Sequence, residues 1–303
     1  MNSITKCKYI IFATISAAIC SYTNVADAQS RTLDKIRSSN TLTLGYRQSS
    51  VPFSYLGAEQ RPVGFSIDLC NAIAADIKAK LQLPKLQIAY QAVTAANRIP
   101  LLQNGTVDIE CGSTTNTADR QQQVDFTVAT FAGAPTWMTK SGSAIQTEDD
   151  LKGKTVVVTQ GSLNLGLAKE INENRHLGFA IVQASEQSQS FMMLNSGRAA
   201  AWFEDNILEA GLAAGSGNAQ SFKYLSNTAG QVYYYGLMLP KGDAGFKALV
   251  DDSLRAQMNS GRFLKTYEKW FTQPIPPRQD NLSLPMSAEL KARVAKPSDK
   301  LTP

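Results

Sequence analysis

Between residues 97 and 120 the chain places guanidiniums and small hydroxyls around what reads as the mouth of a strand. Asn97-Arg98-Ile99-Pro100-Leu101-Leu102-Gln103-Asn104-Gly105 leads into Thr106-Val107-Asp108-Ile109-Glu110-Cys111, then Gly112-Ser113-Thr114-Thr115, with Arg120 five residues on. A guanidinium beside hydroxyls and backbone N–H groups suits a carboxylate or a phosphate, which accept several donors at once. Taken alone, the same residues also describe an ordinary strand end followed by a solvated Arg.

The flanking pattern says what must hold these groups. Ile99, Leu101 and Leu102 form the apolar side of a short helix, and Asn104-Gly105 is its C-terminal stop. The alternation Val107, Ile109, Cys111 predicts a half-buried strand over 107–111, and Thr117 can cap the helix that carries Arg120.

Earlier in the chain, Thr41 to Tyr46 alternates as a strand ending at Arg47. Ser66 can cap a long helix with Phe65, Leu69, Ile73, Ile77 and Leu81 on one face. Leu86 to Tyr90 reads as the next strand. A second βα alternation follows: strand 155–159, turn Gly161-Ser162, helix 163–172, strand 179–183, helix 190–195 and strand 199–203, ending at Glu204-Asp205. Phe191-Met192-Met193-Leu194-Asn195-Ser196-Gly197 echoes Ile99 to Gly105, so two similar α/β units are expected, the second inserted in the first. Helices at 246–259 and 263–271 close the first unit, and a short one at 288–295 ends the chain.

Lys6 and Lys8, the apolar run Tyr9 to Cys20 and the sequence Val25-Ala26-Asp27-Ala28 have the form of a cleaved signal peptide over residues 1–28. The run is short for a spanning helix, and Cys20 lacks the neighbours of a lipid-attachment signal. Such a signal predicts export, with the mature chain beginning at Gln29. Thirty Lys and Arg stand against 25 Asp and Glu, a formal charge of +5, with the signs interspersed. No basic tract marks a nucleic-acid partner. Of four cysteines, Cys7 and Cys20 leave with the signal. Cys70 and Cys111 can pair in an oxidising compartment or serve as small buried hydrophobes. With one histidine, His176, no metal-ligand spacing is present. G-x-S-x-G, Walker and H-E-x-x-H patterns are absent.

The segments NRIPLLQNG and ECGSTTN with the downstream Arg resemble the periplasmic solute-binding proteins for polar amino acids, above all the glutamate/aspartate-binding members that serve ABC importers. The resemblance runs from Thr32 to Lys300. It implies an α/β, two-lobed periplasmic-binding-protein fold of type II, with two crossover strands near 129–139 and 232–239 as the hinge. Lobe 1 would comprise 29–135 and 237–303, and lobe 2 would comprise 136–236. The ligand would sit in the interlobe cleft at the carboxyl ends of strands.

Carried over residue by residue, the resemblance gives Arg120 and Thr115, with Ser113, to an α-carboxylate, and Asp205, with Ser113, to the α-ammonium. Asp205 can equally cap the helix after it. Arg47 and Arg98 would receive a side-chain carboxylate, with Ser162 and Gln187 lining the pocket. Two guanidiniums in a desolvated pocket want a negative partner, which favours L-glutamate or L-aspartate. The chain departs from the pattern at Ala95, Leu163 and Gln187, where the family carries Ser, Thr and His. Glutamine, asparagine or another dicarboxylate stay open as ligands. The resemblance implies a monomer without cofactor that hands its ligand to a membrane permease. The alternatives are a same-fold cyclohexadienyl dehydratase-like enzyme using Glu110, Glu204 or Asp205, and a sensor partner.

Overall fold

In the computed structural model residues 30–225 and 231–301 are described, and the signal peptide read over 1–28 lies outside them. Two five-stranded sheets organise the chain. The first orders its strands Gln87–Ala92, Thr41–Tyr46, Ile109–Glu110, Met238–Leu239, Asp125–Phe126. The second runs Ala180–Ala184, Thr155–Thr159, Ala201–Asp205, Pro135–Lys140, Phe222–Tyr224. In each, the first three strands are parallel and the chain's first strand of the three lies between the other two. An antiparallel pair completes each sheet.

The repeat expected from the sequence is thus a repeat of topology. Val156-Val157-Val158 shows why the second sheet forms: all three are fully buried, with Val156 and Val158 in one core and Val157 in another. A β-branched run buried on both faces is the composition of a central parallel strand.

In the first unit the helix Phe65–Lys80 buries Phe65, Leu69, Ile73 and Ile77 against the sheet. Its cap differs from the expectation. Gly64, at φ +135°, occupies the N-cap, where a Cβ would lie 2.2 Å from the Phe53 carbonyl oxygen. Ser66 instead donates to the Gly112 carbonyl at 2.7 Å. One helical turn on, Cys70 is joined to Cys111 by a disulfide. Hydroxyl and disulfide together tie this helix to the loop 111–115.

Phe131–Gly133 and Tyr233–Tyr235 pair antiparallel in a two-stranded ribbon between the sheets. All strands of the second sheet fall between residues 135 and 224, and Met238–Leu239 returns to the first. Phe131 and Tyr235 pack on Phe53 and Phe271, which anchors the ribbon to the first unit. The two units approach closely: a Cβ on Gly211 would lie 2.4 Å from the Val51 carbonyl oxygen. Among the described residues no helix is long and apolar enough to cross a membrane.

Candidate functional site

Carboxyl ends of parallel strands from both sheets face one cleft. From the first sheet come Arg47, directly after Thr41–Tyr46, and the loop 111–115, after Ile109–Glu110. From the second come Gly161, after Thr155–Thr159, the pair Glu186-Gln187, after Ala180–Ala184, and Asp205, closing Ala201–Asp205.

On the first side, Arg120 rides a single turn capped by Thr117, whose hydroxyl accepts from the Arg120 N–H at 3.3 Å. The Arg120 guanidinium donates to the Thr115 carbonyl at 2.8 Å and, across the cleft, to the Gly161 carbonyl at 3.3 Å. Among the described residues it forms no ion pair. Ser113 Oγ is buried without a hydrogen-bond partner. Arg98, 3% exposed, donates to Thr114 Oγ1 at 2.5 Å. Thr114 in turn donates to Glu110 Oε2 at 2.7 Å, and Glu110 Oε1 lies 4.0 Å from Arg98 Nη1. Burial and the Arg120 charge push the Arg98 guanidinium down to about 9, so it stays charged at neutral pH.

On the second side, Asp205 is fixed through both oxygens. Tyr235 donates its hydroxyl to Oδ2, and Asn164 Nδ2 lies 3.2 Å from Oδ1. Asp205 stands at the N-cap of Asn206–Gly215 but makes no side-chain cap bond, so the capping alternative fails. Glu204 accepts from Thr159 at 2.9 Å and from Asn164 at 2.5 Å. Burial, and then the Asp205 charge, raise the Glu204 carboxyl to about 7. Burial also raises Asp205, against the pull of its two hydrogen bonds.

Six buried polar atoms without a hydrogen-bond partner surround this cleft: Arg47 Nε, Arg98 Nε, Glu110 Oε1, Ser113 Oγ, Asn164 Oδ1 and Glu186 Oε1. Native interiors satisfy such groups, so their concentration here marks a place built for a polar guest. Among the described residues no cluster of His, Cys, Asp and Glu is arranged for a metal.

The expected residues Arg47, Arg98, Ser113, Thr115, Arg120, Gln187 and Asp205 are gathered at the cleft; Ser162 serves its own helix, accepting from Leu165 N–H and donating to the Thr159 carbonyl. Ala95 and Ala96 abut Gly161 across the cleft. Sequence reasoning missed Thr114, Asn164, Glu186 and Tyr235. For Glu186 the only signal was its place beside Gln187. For Arg47 and Arg98 taken singly, the sequence also allowed a structural salt bridge to a carboxylate of the chain. The fold supplies one to each, Glu186 at 3.0 Å and Glu110 at 4.0 Å.

Residues 42–273 match the family described as bacterial extracellular solute-binding proteins, family 3. The L-glutamate/L-aspartate-binding protein of Pseudomonas aeruginosa is 45% identical over 292 residues, covering 96% of each chain. The glutamate/aspartate import solute-binding protein of Escherichia coli is 40% identical over 291 residues, again 96% of each. Among solved structures, an ancestral amino acid-binding protein, a precursor of cyclohexadienyl dehydratase, superposes with a TM-score of 0.69 at 27% identity. The match covers 80% of this chain and all of that one.

Proposed function

The chain belongs to the bacterial extracellular solute-binding proteins, family 3, and from that premise we propose that it captures L-glutamate or L-aspartate between its lobes and delivers it to an ABC-type permease. One observation carries the amino-acid reading: Arg120 and Asp205 face the cleft from opposite units, each feels the other's charge, and among the described residues neither has an ion-pair partner. An α-amino acid presents the complementary pair, a carboxylate for the guanidinium and an ammonium for the aspartate. A ligand that needs both ends satisfied favours the closed arrangement, since only closure brings the two lobes to it.

The acidic side chain is supported by the names of the relatives at 40–45% identity and by Arg98 near the same loop. Those relatives are binding proteins rather than dehydratases, which sets the enzymatic alternative aside. The lobes take in 29–135 with 237–303 and 136–236. Residues 1–28 direct export to the periplasm, where the mature chain works as a monomer. Ligand released by unfolding gently purified protein, identified by mass spectrometry, tests the reading. Glutamate or aspartate at one per chain supports it, and an amide, a basic amino acid or a cyclic carboxylate counts against it.

A further inference from the structure

Arg47 already has a counter-charge within the chain. The side chain is 1% exposed, and its Nη2 lies 3.0 Å from Glu186 Oε2 and 3.3 Å from Gln187 Oε1, both across the cleft. Glu186 occupies the N-cap position of the helix Gln187–Asn195, yet its side chain makes no cap bond there. The carboxylate turns to the other lobe instead, where Ser49 Oγ also donates to it at 3.3 Å.

The two ends of the cleft therefore differ in charge. At the α-amino-acid end, Arg120 and Asp205 stand without ion-pair partners among the described residues. At the other end, Glu186 balances Arg47 and Glu110 balances Arg98. Arg47 Nε and Glu186 Oε1 are nevertheless buried and without hydrogen-bond partners, so this ion pair keeps capacity for a further polar group.

We infer that Glu186 is a specificity-determining residue: its carboxylate holds the guanidinium that a ligand's second carboxylate would claim, and so narrows the preference for acidic over amide side chains. The inference rests on the amino-acid-binding reading above. A ligand amide leaves the Arg47–Glu186 pair intact. A ligand carboxylate must share Arg47 with a like charge or turn Glu186 out, and either lowers its affinity relative to the amide.

The test is calorimetric titration of L-glutamate and L-glutamine into the wild-type protein, Glu186→Gln and Ser49→Ala. Glu186→Gln keeps the shape and removes the charge. The ratio of the glutamine Kd to the glutamate Kd then rises about tenfold or more, the weight of one charge-assisted hydrogen bond. Ser49→Ala, which frees Glu186 from one donor without altering its charge, moves the ratio the same way by about two- to threefold. An unchanged ratio, with both ligands weakened alike, makes Glu186 a lobe-to-lobe contact only and overturns the inference, as does a shift toward the amide. A wild-type protein that takes neither ligand sinks the binding reading, while Glu186→Gln still decides this one. Gained glutamate binding supports it, and continued silence overturns it.

Discussion

The Tyr235 hydroxyl, carried on a crossover strand, donates to Asp205 Oδ2 at the end of a strand in the second sheet. The residue best placed for a ligand ammonium is therefore held by the segment about which the lobes would rotate. Burial and the Asp205 charge raise the Tyr235 phenol well above its ordinary value, so it remains a donor at any working pH.

Tyr235→Phe removes that donor and leaves Asp205 with Asn164 alone. Ligand affinity should fall about tenfold, and Asp205→Asn, which removes the charge itself, should cost about a hundredfold or more. Titration calorimetry reads both, with circular dichroism confirming that each variant is folded. Equal losses from the two would contradict the division of roles between donor and acceptor.

Gly161 is left-handed at φ +76°, and a Cβ there would lie 2.6 Å from Ala96 Cα on the other lobe. Gly161→Ala should strain the turn and hold the lobes apart where Arg120 reaches the Gly161 carbonyl. Its radius of gyration with saturating ligand, from solution X-ray scattering, should stay near the ligand-free value. Contraction equal to that of the wild type would contradict this.

Glu204 and Glu209 make stability depend on pH in a stated direction. Glu204 is raised to about 7, and Glu209, fully buried, is raised well above the ordinary value by burial and by the charges of Glu204 and Asp205. Above the ordinary carboxyl value the unfolded chain has released these protons while the folded chain retains them. Stability therefore falls as pH rises from about 5 through about 7. The melting temperature of ligand-free protein should rise on acidification from about pH 8 to about pH 5.5. Glu209→Gln should flatten that slope, and an unchanged slope would reject this cause.

The disulfide joins positions 41 residues apart and anchors the loop that begins at Cys111. The double variant Cys70→Ser/Cys111→Ser should lose about 2–4 kcal/mol of stability by denaturant titration. The reductant sensitivity of the wild type should vanish in the variant. A variant as stable as the oxidised wild type would contradict a structural role for the bond.

Periodicity and spacing made some of this visible in advance. The strand Thr41–Tyr46 and the helix carrying Arg120 fall where the alternation and the Thr117 cap placed them. The crossovers were legible chiefly through resemblance, because an extended apolar run reads alike in a ribbon and in a sheet interior. The strand expected over 107–111 is only Ile109–Glu110; Val107 and Cys111 are equally buried but fall just outside its regular pairing. The Arg47–Glu186 pair could not be read at all. Its partners are 139 residues apart and meet only across the cleft, from loops that follow strands of two different sheets. A Glu at a helix N-cap gives no local sign that it will turn away from its own helix.

The most direct measurement is calorimetric titration of ligand-stripped protein from Gln29 to Pro303 with L-glutamate, L-aspartate, L-glutamine and L-asparagine. One-to-one binding of both acids, tighter than that of either amide, is the expected result. Tighter binding of an amide, or no heat from either acid, would contradict the assignment of this cleft to an acidic amino acid.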